Sequence, residues 1–144
     1  MDCIFCRIIA GAAPASLIYR DALCVAFMDI QPVNPGHLLI VPFTHAAQLA
    51  DLNAASAERL MTVAQRLGSA LRQSSLRCEG VNLLLADGEA AGQEVFHVHL
   101  HVVPRFAGDG FGFRFAPTYH QRAPRADLDQ AAALIRAALP TPEA

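Results

Sequence analysis

The chain has 144 residues, 53% of them hydrophobic and 17% charged, with a formal net charge of −2 at pH 7. That length allows one domain with one sizeable core, the composition excludes a disordered chain, and the charge leaves no basic footprint for nucleic acid. With no signal-peptide pattern at the start and no apolar run of about 18 residues, no membrane association is expected, and the expected setting is the cytoplasm. Four cysteines (Cys3, Cys6, Cys24, Cys78) in such a chain point to reduced thiols or metal ligands rather than a disulfide framework.

Residues 17–20 and 23–28 read as two strands separated by Asp21 and Ala22, a hairpin length. The turn sequence Pro32-Val33-Asn34-Pro35-Gly36 leads into a buried third strand over 37–41. Asn53 is placed to cap a long helix in which Leu60, Val63, Ala64, Leu67 and Leu71 form a stripe at the 3.6-residue period. A strand over 81–85, a polar loop with Gly88 and Gly92, and a histidine-bearing strand follow. Phe111, Phe113 and Phe115 alternate within a Gly- and Pro-containing stretch, 108–124, which reads as a crossing loop, a lid or a subunit contact, an ordinary surface connection remaining equally open. A last helix is expected over 128–139, begun by Asp127 with Gln130 three residues on and stopped by Pro140. Strands, one helix and then more strands predict an α+β fold with a mainly antiparallel sheet.

The most informative run is Val95-Phe96-His97-Val98-His99-Leu100-His101-Val102-Val103-Pro104. Side chains alternate along a strand, so His97, His99 and His101 share one face. Val98, Leu100 and Val102 share the other, which is expected to be the buried one. Three imidazoles in register are what a reactive surface against solvent or a ligand cleft requires. Taken alone, His37 reads as a satisfied histidine at a sheet end and His120 as an exposed loop residue. Cys3-x-x-Cys6 has the spacing of structural zinc sites but supplies only half of a tetrahedral set.

The segment Gly92-Gln93-Glu94-Val95-Phe96-His97-Val98-His99-Leu100-His101-Val102-Val103-Pro104 resembles the signature of the histidine triad (HIT) family, His-φ-His-φ-His-φ-φ with φ apolar. Phe27-Met28-Asp29-Ile30 through Pro35-Gly36-His37-Leu38-Leu39-Ile40-Val41-Pro42 resembles that family's nucleoside-binding strand pair, and Cys3-Ile4-Phe5-Cys6-Arg7-Ile8-Ile9 its N-terminal opening. The nearest branch is the Hint-like nucleotide phosphoramidases, followed by the Fhit-like dinucleoside polyphosphate hydrolases. The likeness runs over about residues 2–106. It implies a single HIT domain over 1–144, with 106–144 a C-terminal extension. The implied HIT fold has a five-stranded, mainly antiparallel sheet with one long helix and a C-terminal helix, the sheet continuing across a homodimer.

The chemistry that the resemblance implies is hydrolysis at the α-phosphate of purine nucleoside phosphoramidates or related nucleotidyl adducts. His99 would be the nucleophile and form a nucleotidyl-histidine, the backbone carbonyl of His97 holding its far N–H. His101 would hydrogen-bond a phosphate oxygen, and His37 would stand behind the nucleophile. The loop over 87–93 would offer backbone N–H groups, with Gly92, Gln93 and Glu94 at the nucleotide. Asp29 would accept from the ribose hydroxyls, and Phe5, Ile8, Phe27 and Ile30 would form an apolar slot for the base. Cys3, Cys6, His45 and His97 would hold a structural zinc, in which case His97 cannot also be a catalytic base, and no catalytic metal is expected.

Two positions depart from the family pattern. Ala86 stands where an amide side chain would contact the phosphate, and Glu94 where a Ser or Thr would serve the leaving group. They leave open a dinucleoside polyphosphate hydrolase or a weakly active nucleotide-binding module. A zinc hydrolase using the three-histidine face as its metal cradle would need a downstream Asp-His cluster that the sequence lacks.

Overall fold

The structure is a computed structural model that describes residues 2–141. It opens with a six-residue helix, α1 (Ile4–Ile9), followed by the hairpin of β1 (Leu17–Arg20) and β2 (Cys24–Met28). Asp21 makes that turn: its Oδ1 accepts the N–H groups of Leu23 and Cys24 at 2.8 and 2.9 Å. Then come β3 (Leu38–Pro42), α2 (Ala54–Gln73), β4 (Gly80–Leu84), β5 (Leu100–Arg105) and α3 (Arg125–Ala138). The five strands form one antiparallel sheet in the order β1-β2-β3-β5-β4, as expected for the α+β class.

The central strands β2 and β3 are apolar and almost wholly buried, because both faces of the sheet are covered there. On one face, Cys24, Ala26, Leu38, Ile40, Leu100 and Val102 pack against the α2 stripe of Leu60, Val63, Ala64, Leu67 and Leu71. Each Leu, Ile or Val among them contributes roughly 1.5–3 kcal/mol of burial. Asn53 caps α2 as expected, its side chain accepting from Ser56 N–H at 2.9 Å. The opposite face carries Val25, Phe27, Leu39 and Val41, closed by Cys3 and Phe5. Gly36 turns the chain into β3 with φ +99°, and a Cβ there would sit 3.0 Å from both Leu71 and Leu76.

The structure corrects the sequence reading in three places. The strand bearing the histidines begins only at Leu100; before it, Val98 N–H leaves the ladder and donates to Ala46 O at 2.8 Å. The alternation of side chains survives, but the histidine face is not open to solvent: His97 and His99 are both buried. Finally, the last helix starts at Arg125 behind Pro124, whose fixed φ suits helix entry, so Asp127 lies in the first turn and caps nothing.

The chain divides into two compact units, the first ending at Gly110 and the second beginning at Phe111. Within the second, Phe115 stacks on Tyr119 with ring centroids 3.8 Å apart, Phe113 lies 6.2 Å from Phe115, and α3 has no buried residue. His120 is exposed. Among the described residues no helix is long and apolar enough to cross a membrane.

Candidate active site and metal centre

A cleft of about 520 Å³ opens on the α1 side of the sheet. Phe5 and Ile8 from α1, Phe27 at the end of β2, and Ile30 beyond it line one part of it. Phe5 and Phe27 meet edge to face at 5.6 Å and belong to the core as well. Ile30 is 95% exposed, so core packing cannot be its purpose. Asp29, His37, His99, His101, Gly92 and Glu94 also line the cleft. Several lining residues were not singled out in the sequence, among them Ile4, Met28 and Gln31. Ile4 stands four residues before Ile8 and so on the same face of α1, a relation that becomes readable only once the helix is known.

Hydrogen bonds fix the tautomers of His99, His37 and His101. His99 Nδ1 lies 2.8 Å from His97 O, and a carbonyl only accepts, so Nδ1 carries the hydrogen and Nε2 of the neutral ring keeps its lone pair. His37 Nδ1 accepts the Val33 backbone N–H at 3.0 Å, which places the His37 hydrogen on Nε2. That Nε2–H faces His101 Nδ1 at 2.9 Å, with Asp29 Oδ2 at 3.4 Å beside it. His101 therefore accepts at Nδ1 and presents Nε2–H. His37 thus stands behind His101 and not behind His99 as the resemblance implied; the Val33 turn, invisible in a residue pattern, sets that geometry. Burial, helped by the imidazoles of His99 and His37, holds His101 down to about pKa 4, so at neutral pH it is an uncharged donor. Burial also lowers His37, with Asp29 opposing.

The loop before the histidines is less generous than its glycines suggested. Its N–H groups at Gly88, Ala91, Gly92 and Gln93 are already bonded, to Gln93 Oε1, Gly88 O, Glu89 O and Gly88 O respectively. Gln93 is buried and its amide donates to Ala47 O and Val95 O. It braces the loop and does not line the cleft. Gly88 and Gly92 have φ +97° and +89°, which such a tight loop demands of glycine. Ala86 lies outside the cleft lining.

His97 does not reach the cleft either. Its ring is fully buried, and Nε2–H donates to Pro42 O at 2.8 Å, leaving Nδ1 to face Cys3, Cys6 and His45. Its expected catalytic part therefore reduces to its backbone carbonyl. His97 Nδ1 is 3.5 Å from Cys3 Sγ, 3.6 Å from Cys6 Sγ and 3.2 Å from His45 Nδ1, and Cys6 Sγ is 3.4 Å from His45 Nδ1. A tetrahedral zinc with ordinary bond lengths has edges of about 3.3 Å between two nitrogens and about 3.6 Å between sulfur and nitrogen. The donor set fits that ion. Asp29, His37 and His101 also converge, but the Val33 N–H keeps hydrogen on His37 Nε2, so this second set is a hydrogen-bond chain. The other cysteines serve neither site: burial pushes the core Cys24 thiol up to about 12, and Cys78 donates to Gly80 O.

Residues 10–108 match the model of the HIT domain, and the chain belongs to that family. An uncharacterised HIT-like protein of Borreliella burgdorferi is 44% identical over 114 residues, covering 78% of this chain and 82% of that one. The adenylylsulfatase HINT3 of Arabidopsis thaliana is 34% identical over 72% of this chain and 52% of its own length. Among solved structures, a HIT family member from Bacillus subtilis superposes with TM-score 0.88 at 34% identity, covering 98% of this chain and 99% of that one. A zinc-bound histidine triad family protein from Mycobacterium smegmatis gives TM-score 0.75 at 40% identity over 96% of this chain and 99% of its own.

Proposed function

We propose that this protein hydrolyses purine nucleoside phosphoramidates or related nucleotidyl adducts at the α-phosphate, through a nucleotidyl-histidine on His99. The observation that carries this reading is the 2.8 Å bond from His99 Nδ1–H to His97 O, which leaves a nucleophilic Nε2 lone pair in the cleft. The Arabidopsis relative, named an adenylylsulfatase, supports a nucleotide-directed reaction.

The base rests among Phe5, Ile8, Phe27 and Ile30, whose apolar surfaces tolerate any purine. Asp29 accepts from the ribose hydroxyls. His99 Nε2 attacks the α-phosphorus; the P–N bond breaks, and the leaving nitrogen takes its electron pair and a proton from water. His101 Nε2–H donates to a phosphoryl oxygen where charge develops. A second water then attacks phosphorus and gives its proton to the hydroxide left by the first, the His99–P bond breaks, and the nucleoside monophosphate leaves with the Nε2 lone pair restored. Cys3, Cys6, His45 and His97 hold a structural zinc that ties α1 to the sheet. The protein works as a homodimer joined through one of the open sheet edges, β1 or β4, which sedimentation can verify.

The test is turnover of an adenosine phosphoramidate by the wild type and His99→Ala, without added magnesium, with acid-quenched protein analysed by mass spectrometry. Wild-type turnover with a trapped adenylyl adduct, both lost in the variant, supports the reading. AMP binding without turnover by either protein overturns it in favour of a nucleotide-binding module, and turnover confined to dinucleoside polyphosphates moves it to that class.

A further inference from the structure

The proposed ligand is phosphorylated, yet among the described residues that line the cleft the carboxylates are Asp29 and Glu94, and no arginine or lysine stands with them. The chain contains no lysine, and all eleven of its basic residues are arginines. None lies between Arg77 and Arg105, the stretch that builds the loop and the histidine run, whereas Asp87, Glu89 and Glu94 do. Asp29 is already engaged: its Oδ1 accepts Gln31 N–H at 2.8 Å and its Oδ2 stands beside His37. Glu94 has no such partner. It is exposed, and no hydrogen bond or ion pair holds its carboxylate among the described residues. It belongs to the segment that runs directly into His97 and His99, away in sequence from the residues that hold base and ribose.

We infer that Glu94 is a specificity-determining residue for the leaving group, favouring amines that carry positive charge and rejecting polyphosphates. This deepens the phosphoramidase reading and rests on it. A nucleoside monophosphoryl group with one negative charge needs only the His101 donor. Each further phosphate of a polyphosphate brings charge that nothing in the lining neutralises and that Glu94 repels. An amine, by contrast, becomes an ammonium after it leaves, and a leaving group with a second ammonium is attracted throughout. Discrimination of this kind works as much by repelling the wrong partner as by attracting the right one.

The experiment compares kcat/KM for three AMP amides whose leaving amines are cationic (ethylenediamine), neutral (2-methoxyethylamine) and anionic (glycine), in wild type, Glu94→Gln and Glu94→Lys. Calorimetric Kd values for AMP and ADP accompany them. At moderate salt the wild type prefers the cationic over the anionic leaving group by about tenfold or more, as expected for one exposed charge pair and one exposed repulsion. Glu94→Gln collapses that ratio and Glu94→Lys inverts it, while the preference for AMP over ADP shrinks in both. Ratios that stay as in the wild type in both variants overturn the inference. If no amide is turned over but the AMP/ADP preference still collapses in Glu94→Gln, the charge filter stands and the phosphoramidase reading falls.

Discussion

The carbonyl of His97 accepts the Nδ1–H of His99 at 2.8 Å, while the His97 ring itself points into a cluster of cysteines and histidine. One residue thus serves two sites with two parts of itself, its backbone fixing the tautomer of His99 and its side chain joining a four-residue donor set.

The orienting bond from His37 Nε2–H to His101 Nδ1 is expected to act on the rate more than on binding. His37→Ala should lower kcat about tenfold, the scale of losing one orienting hydrogen bond of about 1.4 kcal/mol, with KM within about twofold. Steady-state kinetics on an AMP amide decide this; a change confined to KM would show that His37 only shapes the cleft.

Zinc is expected at one equivalent per chain by elemental analysis of purified protein. Cys6→Ser should lose it and unfold roughly 10 °C lower, corresponding to about 3 kcal/mol if free zinc exceeds its dissociation constant about a hundredfold. Full metal content in that variant would show that the Cys3, Cys6, His45 and His97 set is not the ligand shell.

Stability should fall as the solution is acidified through the histidine range. The His101 pKa is about 4 in the fold, below its ordinary value of about 6.5, so the unfolded chain binds the proton first. The contribution is complete above about pH 6.5 and is lost as pH falls towards 4, on the order of 3 kcal/mol at most. His37 shifts in the same direction. Urea titrations at pH 7 and pH 5 should show the loss, and a smaller one in His101→Asn; equal losses would assign the slope elsewhere.

Two backbone positions should differ in cost. Asn53→Ala removes the α2 cap and should cost about 1 kcal/mol. Gly36→Ala forces a side chain into φ +99° against Leu71 and Leu76 and should cost more, about 2 kcal/mol or above. Denaturant midpoints order the two, and a milder effect at Gly36 would mean that the turn relaxes.

The sheet was legible because its strands are short apolar runs bounded by turn residues, and α2 because its stripe keeps a strict period. α1 was not, since six residues are too few to show periodicity, and that omission hid the cover over the histidine face. His99, His101 and Asp29 were legible from alternation and resemblance. The partner of His37 was not, because a backbone N–H at Val33 decides it and a backbone donor leaves no mark on residue identity. Gln93 looked like a ligand residue for the same reason: burial and bonding to Ala47 O and Val95 O appear only in three dimensions.

Phe5 sits between Cys3 and Cys6 in α1, and its ring meets the His99 ring edge to face at 5.0 Å. An alkylating or mercurial reagent that captures either thiol would therefore disturb the ring braced against His99. Under the proposed phosphoramidase reaction, the protein would then be poisoned by chemistry aimed at sulfur although no sulfur touches phosphorus. Inactivation by such reagents would consequently be no sign of a cysteine nucleophile, and protection by bound AMP would not make it one.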